Sequence, residues 1–145
     1  MASFDLREVE FASDGISDSL TLSMSPALFH DNLKREIASA KRESRELCVV
    51  SITLRQERFP SLAAFQEALI ELAFGLRSGL RGGDFFARVS DSGFWILLRT
   101  AESNAVAVIE RLQLAHHDHL NIYTVARSHS EFQEWIERID KLHFE

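Results

Sequence analysis

Residues 80–98, LRGGDFFARVSDSGFWILL, hold the most informative pattern in the chain, because two apolar segments flank a short polar one. DFFARV and GFWILL are rich in the aromatic and β-branched side chains that strands favour. Residues 90–92 between them, Ser-Asp-Ser, are turn formers. The stretch therefore predicts a β-hairpin, and the glycine pair at 82–83 predicts the end of a preceding helix.

Apolar residues recur at helical spacing in four segments, two before the hairpin and two after it. These segments run from Pro26 to Arg42, from Ser61 to Leu80, from Glu102 to Leu114 and from Glu131 to Leu142. Each run places apolar side chains on one face of a helix, and Pro26 stands at a helix start, where proline is favoured. The pattern predicts four amphipathic helices.

Two short apolar runs complete the pattern, LCVVSITL at 47–54 and LNIYTVA at 120–126. Both are too short for typical helices and contain β-branched residues, so we interpret them as strands. The resulting order is helix, strand, helix, hairpin, helix, strand, helix. Strands connected through helices and interrupted by one hairpin predict an α/β (α+β) sandwich, with a mixed central sheet and helices on its faces.

The chain is expected to form one globular domain. It has 145 residues, of which 46% are apolar, enough to bury one core without a second domain. Residues 1–18 are polar with scattered aromatics and show no sustained period. We therefore expect an N-terminal arm over residues 1–18, loosely structured or dependent on a partner, and the domain itself over residues 19–145.

Charge and hydropathy restrict the classes of partner. The 22 acidic residues outnumber the 16 basic ones, for a net charge of -6, which disfavours binding along nucleic-acid phosphates. A small anionic ligand held by a few local arginines is compatible with this balance. Apolar runs are far shorter than the roughly 20 residues that span a bilayer, and no signal segment opens the chain. We expect a soluble, cytoplasmic protein without membrane insertion.

The cysteine and a group of histidines are interpreted as structural. Cys48 lies within the strand pattern of residues 47–54, where a buried, inert thiol is expected because burial raises the pKa of a thiol. His116, His117 and His119 lie in a short connection in which neighbouring side chains diverge and no cysteine is present. We expect solvated histidines there, and neither a metal site nor a cofactor.

The order of elements and several stretches resemble the GGDEF, or diguanylate cyclase, domain, which condenses two GTP molecules into cyclic di-GMP. SLTLSMSPALFHDNL, residues 19–33, is similar to the family's opening segment D-x-LTGL-x-NR-x-x-F, with Leu20, Thr21 and Phe29 in place. The last strand and helix resemble the family's closing elements. The resemblance covers about residues 19–144 and is one of pattern more than of identity.

The resemblance offers two registers for the family signature. GGDFF at residues 82–86 differs from GGDEF by one letter, but if it were the signature turn, the apolar GFWILL segment would have no place before the next helix. Counting from Leu20 at the family's spacing instead places the signature on residues 90–94, Ser-Asp-Ser-Gly-Phe. RGGD at residues 81–84 then falls on the RxxD motif, which in this family is the inhibitory site that binds cyclic di-GMP.

The resemblance implies that the catalytic site is lost. Joining two nucleotides needs divalent cations held by carboxylates and a glycine turn close to phosphate. In the chosen register the metal-binding acidic positions are Thr53 and Arg55, the signature glutamate is Gly93, and the two glycines are Ser90 and Asp91. Asp91 alone is more typical of a turn. We therefore expect no catalytic residues, and a degenerate domain that is not an enzyme.

The inhibitory site, in contrast, keeps its motif. A guanidinium can donate two hydrogen bonds to O6 and N7 of guanine, and a carboxylate can accept from N1 and N2. Arg81 and Asp84 supply these groups. The resemblance implies further ligand-binding residues at Arg111, on the helix after the hairpin, and at Arg88, which would face the former substrate site or the sheet surface. Without a ligand, Arg81 and Asp84 could instead form an exposed ion pair beside a helix end.

The sequence-based hypothesis is a catalytically inactive, GGDEF-like receptor that binds cyclic di-GMP at its RxxD motif and regulates a partner protein. In the family a stacked pair of ligands commonly bridges two domains, which implies a ligand-linked homodimer, and the resemblance also implies a role in biofilm or exopolysaccharide control. The alternative is a ligand-free protein–protein interaction module, or scaffold, that keeps the fold and has lost both sites.

Overall fold

A computed structural model describes residues 4–114, 117–127 and 132–143. Within these ranges lie four α-helices and four β-strands, and all the helices and strands expected from the sequence are present. In chain order they are α1 (Pro26–Glu43), β1 (Cys48–Leu54), α2 (Leu62–Gly79), β2 (Phe85–Ser90), β3 (Gly93–Leu98), α3 (Glu102–Arg111), β4 (Leu120–Ala126) and α4 (Phe132–His143). α3 ends earlier than expected, because Gln113 adopts a left-handed φ of 59° that leaves the helix.

The four strands form one sheet in the order β2-β3-β1-β4, with α2 and α3 on one face and α1 and α4 on the other. The predicted α/β (α+β) sandwich is confirmed. Neighbouring strands are antiparallel. A mixed sheet would also contain parallel pairing, and among the described residues this is limited to one isolated bridge between Met24 and Ala87. Each helical crossover, β1–α2–β2 and β3–α3–β4, connects two parallel strands that have a third strand between them. The parallel strands are therefore not neighbours in the sheet.

The predicted hairpin is confirmed, and it determines where the glycine-containing motif lies. β2 and β3 pair antiparallel from Phe85 opposite Leu97 to Ser90 opposite Gly93. The turn of the hairpin therefore lies between Ser90 and Gly93. GGDFF precedes this turn and sits at the junction of α2 and β2.

Two apolar cores hold the helices on the sheet, because successive residues of a strand point to opposite faces. On one face α2 packs Phe65, Leu69 and Leu76 on Ile52, Phe94 and Ile96. On the other face α1 and α4 pack Phe29, Leu33, Trp135 and Ile139 on Val49, Trp95 and Leu97. The hairpin aromatics Phe94 and Trp95 are thus core residues of opposite faces.

Serine side chains cap the starts of α1 and α2. Ser25 Oγ accepts a hydrogen bond from Leu28 N–H, and Ser61 Oγ accepts one from Ala64 N–H, each at 3.1 Å. Such caps satisfy backbone donors at the start of a helix that have no partner within it. Among the described residues, no helix combines the length and hydropathy needed to cross a membrane.

The N-terminal segment differs from the loosely structured arm expected from its composition. Residues 6–8 form a short 3₁₀ helix, and Phe4 and Val9 are only 9% and 6% exposed. The Phe4 ring lies 5.2 Å from the ring of Phe65 in α2, and the Phe4 carbonyl accepts a hydrogen bond from Gln56 Nε2. These contacts join distant parts of the chain, so a short segment without periodicity gives no sign of them.

A buried ion pair joins this segment to the hairpin. Arg88 in β2 is 0% exposed and Asp18 is 1% exposed, and Arg88 Nη1 lies 3.1 Å from both carboxylate oxygens of Asp18. The same guanidinium donates to the carbonyls of Glu10, at 2.6 Å, and Asp91, at 3.0 Å, and lies 5.0 Å from the centre of the Phe11 ring. Burial lowers the pKa of Arg88, and Asp18 opposes that shift. Removal of either partner would leave an uncompensated buried charge.

We expect Asp18→Ala to lower the free energy of unfolding by about 3–5 kcal/mol, because it leaves the buried Arg88 guanidinium without its counter-ion. Asp5→Ala is the matched control: it removes the exposed ion pair between Asp5 and Arg7, which solvent screens, so a much smaller change is expected. Urea unfolding followed by circular dichroism gives both values. Equal losses for the two variants would contradict the structural role of the buried pair.

Candidate functional site

The RGGD motif forms a tight turn between α2 and β2. Asp84 N–H donates to the Arg81 carbonyl at 3.1 Å, and Gly83 has a φ of 94°, a conformation that favours glycine. A side chain at Gly83 would also collide with Arg99, whose Nη1 would lie 2.6 Å from the added Cβ. The turn therefore requires glycine at position 83, and it brings Arg81 and Asp84 to the edge of one cavity.

The cavity has a volume of about 400 Å³ and is lined by Arg81 and Asp84 together with apolar side chains that include Leu22, Leu80 and Phe86. Arg81 is exposed, and its side chain makes no hydrogen bond or ion pair with any described residue. The exposed Arg81–Asp84 ion pair considered above is therefore not formed within the described parts of the chain. A guanidinium and a carboxylate lie beside an apolar surface without neutralising each other.

Asp84 is held in place by Arg99, a residue that the sequence did not single out. Arg99 N–H donates to Asp84 Oδ1 at 3.0 Å, and the Arg99 guanidinium donates to both carboxylate oxygens of Glu36 on α1, with Nε 2.9 Å from Oε2. The Glu36 side chain is only 11% exposed. This contact ties the RGGD turn to α1. Glu36 and Arg99 are 63 residues apart, so no local sequence pattern indicates the pair.

Arg111 lies on a helix end that adjoins the RGGD turn. It is exposed in the last turn of α3. The next residue, Leu112, packs so closely on Gly79 that a Cβ there would overlap its side chain. Since Gly79 is two residues before Arg81, the end of α3 lies beside the end of α2. Arg111 is not among the described residues that line the cavity with Arg81 and Asp84.

Arg88 has a different environment from the one expected. As a candidate ligand-binding residue it was expected to face the former substrate site or the surface of the sheet. It is instead fully buried, and its Nη1 and Nη2 donate to Asp18 and to two backbone carbonyls. Its position in the strand before the turn is as expected, but the N-terminal segment covers it. We therefore assign Arg88 to the structural ion pair rather than to the ligand-binding set.

The hairpin turn, where the resemblance places the GGDEF signature, is filled by His143 of α4. Its Nδ1 lies 2.6 Å from Ser51 Oγ and its Nε2 lies 2.7 Å from Ser90 Oγ. Gly93 packs against the imidazole so closely that an added Cβ would overlap both the ring and the Ile52 carbonyl. Burial lowers the pKa of His143 to about 4. The histidine is therefore neutral at pH 7, and position 93 has no room for a side chain.

The end of β1, where the resemblance places the metal-binding carboxylates, carries other groups. Thr53 Oγ1 is buried without a hydrogen-bond partner among the described residues. Arg55 Nε donates to Asn121 Oδ1 at 2.8 Å. Asp91 is partly exposed in the turn, and its carbonyl accepts from Arg88. In the parts of the chain that the structure describes, no group of three or more histidine, cysteine or acidic residues is arranged to hold a metal ion.

Cys48 and two histidines of the histidine-rich connection, His117 and His119, are among the described residues. Cys48 is fully buried, and burial raises the pKa of its thiol to about 12, as expected of an inert thiol. His117 is exposed and His119 is partly buried; their rings lie 4.9 Å apart, and His119 packs on Phe59 at 5.3 Å. Burial, with a smaller effect of His117, lowers the pKa of His119. His116 lies outside the described residues.

The strand order, the hairpin and the helices on both faces define an α+β domain. No protein-family model matches the chain, and no curated protein matches it. Solved structures do match. The GGDEF domain of TpbB (YfiN) from Pseudomonas aeruginosa is 20% identical, with a TM-score of 0.73 over 88% of this chain and 86% of that domain.

Two further structures were solved as complexes. The GGDEF domain of DgcB from Caulobacter crescentus, in complex with cyclic di-GMP, is 16% identical, with a TM-score of 0.75 over 92% of this chain and 90% of that one. The diguanylate cyclase SiaD from Pseudomonas aeruginosa, in complex with its activator SiaC, is 18% identical, with a TM-score of 0.76 over 96% of this chain and 58% of that one. At these identities the likeness establishes the fold: this chain folds as a GGDEF domain.

We expect His143 to make the stability of the protein depend on pH. Its folded-state pKa of about 4 lies below the value of about 6.5 for an unfolded histidine. The stability that the neutral imidazole contributes is therefore fully present at pH values above the unfolded-state pKa. It is lost as the pH falls toward the folded-state pKa. Between pH 7 and pH 5 the loss is about 2 kcal/mol, measurable by urea unfolding at both pH values.

His143→Gln removes this titration, so the variant should lose about 2 kcal/mol less than the wild type over the same interval, whatever its stability at pH 7. His30→Gln is the control, because His30 is exposed on α1, and it should keep the wild-type dependence on pH. An unchanged pH dependence in His143→Gln would contradict a buried, neutral imidazole.

Proposed function

We propose that this domain is a catalytically inactive receptor that binds cyclic di-GMP at Arg81 and Asp84. In the proposal, the receptor regulates a partner protein. One observation carries the proposal: an uncommitted guanidinium and an anchored carboxylate meet at one apolar cavity. This arrangement suits a ligand that presents both acceptors and donors on the edges of a flat ring.

Guanine has both kinds of edge. Arg81 can donate two hydrogen bonds to O6 and N7, and Asp84 can accept from N1 and N2. Because Asp84 Oδ1 is already bonded to the Arg99 amide, Oδ2 is the oxygen assigned to the ligand. The volume of about 400 Å³ is within the range of small-molecule sites. DgcB, which shares the fold, was solved with cyclic di-GMP.

The inferred loss of catalysis is supported by the hairpin turn and the end of β1. Condensation of nucleotides with divalent cations needs carboxylates close to the triphosphate. In the register given by the resemblance the corresponding positions are Thr53, Arg55 and Gly93, and a side chain at Gly93 would overlap His143. None of these three residues carries a carboxylate, and position 93 has no room for one.

Arg111 and a second copy of the domain complete the proposal. Arg111 lies at the helix end that adjoins Gly79, and we assign it contacts to a part of the ligand outside the cavity. Because the ligand has two guanines, it can also engage the same site in a second copy and so link binding to dimerisation. Occupancy regulates a partner protein when that protein binds the two states differently. SiaD, which shares the fold, was solved with its protein activator.

The alternative function is a ligand-free interaction module of the same fold. It is favoured by two exposed apolar side chains on α2, Ile70 at 45% and Phe74 at 67% exposure. They are separated by one helical turn and therefore share a face of the helix. A partner protein that covers this face would need no nucleotide.

Calorimetric titration of cyclic di-GMP into the purified protein tests the receptor. We expect the wild type to bind and Arg81→Ala to lose about 5- to 150-fold in affinity, because it lacks a bidentate contact worth about 1–3 kcal/mol. Asp84→Asn should also weaken binding: its amide oxygen keeps the bond to Arg99 N–H, but its amide nitrogen opposes the donors of guanine. Circular dichroism checks that each variant is folded.

Arg35→Ala and Asp31→Asn are the matched controls, because both residues are exposed on α1 and do not line the cavity. Both should bind as the wild type does. If these variants weakened the binding of cyclic di-GMP equally, the effect would be a general one of charge. That result would contradict the assignment of the binding site to Arg81 and Asp84. An absence of heat with the folded wild type would overturn the receptor and favour the interaction module.

Incubation with GTP and Mg²⁺ tests the loss of catalysis. We expect no cyclic di-GMP by liquid chromatography, with added authentic product setting the detection limit. Gly93→Glu, which introduces a glutamate at the signature position, should make no product either and should be less stable, because its side chain overlaps His143 and the Ile52 carbonyl. Product from either protein would show that the turn supports catalysis.

A further inference from the structure

Leu22 combines high exposure with an unfavourable backbone conformation. It is 72% exposed, and its φ of 61° lies in the left-handed region, which is costly for a residue with a Cβ. The other non-glycine residues with this conformation in the described ranges are Ser44 and Gln113, polar residues at helix ends. Neither burial in the core nor a conformational preference of leucine explains the left-handed backbone of Leu22.

A buried polar turn holds the backbone at Leu22. Asp18 Oδ2 accepts from the N–H and the hydroxyl of Thr21, each at 2.8 Å, and Asp18 N–H donates to the Ser23 carbonyl at 2.7 Å. Arg77 Nη2 on α2 donates to the Thr21 carbonyl at 2.9 Å. These bonds fix the residues on both sides of Leu22, so the protein maintains the strained conformation and presents the side chain in a defined place.

That place is the wall of the cavity that contains the RGGD side chains. Leu22 lines it together with Arg81 and Asp84, and the partly buried Leu80 and Phe86 extend the apolar surface. The lining of the cavity thus combines hydrogen-bonding groups with apolar side chains. A purine base needs this combination, because its edges are polar and its two faces are apolar.

We propose that Leu22 forms the apolar wall against which one guanine ring of the ligand lies, while Arg81 and Asp84 bind the edges of that ring. This inference rests on the proposed function and adds a residue that determines affinity. Contact with the base would cover a leucine that is exposed in the free protein. The strained backbone is maintained because it holds that leucine over the site.

Leu22→Gly separates the side chain from the strain. Glycine accepts a left-handed backbone, so Tm should rise by about 2–4 °C. The affinity for cyclic di-GMP, measured by calorimetry, should fall about tenfold or more, because the apolar contact is lost. Leu22→Ala keeps the strain and lacks most of the side chain, so its affinity should fall without a rise in Tm.

Ser44→Gly is the matched control for relief of strain. Ser44 has a similar φ of 55° at the end of α1, and it is not among the described residues that line the cavity. This variant should have a higher Tm and bind cyclic di-GMP with wild-type affinity. The expected pattern is therefore a gain in Tm for both glycine variants and a loss of affinity for Leu22→Gly alone.

Three outcomes would overturn the inference, and only one of them concerns the proposed function. Wild-type affinity in Leu22→Gly would remove Leu22 from the ligand site, leave Arg81 and Asp84 in it, and favour a protein partner for the exposed leucine. A lower Tm in Leu22→Gly would identify Leu22 as a structural residue. No binding of cyclic di-GMP by the wild type would overturn the proposed function, and this inference with it.

Discussion

The structure depends on the burial of one charge, the guanidinium of Arg88, in the edge strand β2. A guanidinium with 0% exposure is tolerated only with a counter-ion and with acceptors for its donors. The N-terminal segment supplies these through Asp18 and the Glu10 carbonyl, and the hairpin turn adds the Asp91 carbonyl. The residues before α1 are therefore required to fold against the sheet, although their own composition is polar.

The same carboxylate positions the candidate ligand site. Asp18 binds the backbone of the turn that carries Leu22, so one wall of the cavity is an extension of the buried ion pair. Asp84, which also lines the cavity, is bonded to the Arg99 amide rather than to Arg81, which leaves the Arg81 guanidinium uncommitted. The site thus combines the exposed Arg81 side chain and the anchored Asp84 carboxylate with a frame in which Arg88 pairs with Asp18 and Arg99 pairs with Glu36.

Local patterns predicted the elements, because helical spacing, strand alternation and turn residues act over a few positions. They also placed RGGD at the junction of α2 and β2, as the structure has it, and the resemblance made Arg81 and Asp84 the candidate ligand-binding residues. Contacts between distant segments were not predictable: Asp18 and Arg88 are 70 residues apart, Glu36 and Arg99 are 63 apart, and Ser51 and His143 are 92 apart. Each depends on how segments far apart in the chain pack together, which is why the sequence did not indicate the buried environment of Arg88 and did not single out Arg99 or His143.

The packing of His143 on Gly93 makes these two positions interdependent in evolution. A side chain at position 93 would overlap both the imidazole and the Ile52 backbone carbonyl, and loss of the imidazole alone leaves the hydroxyls of Ser51 and Ser90 without their buried partner. A side chain at position 93 therefore requires a change at His143 and also a shift of the β1 backbone at Ile52. Each of Gly93 and His143 constrains mutation at the other, and the backbone of β1 constrains position 93 as well.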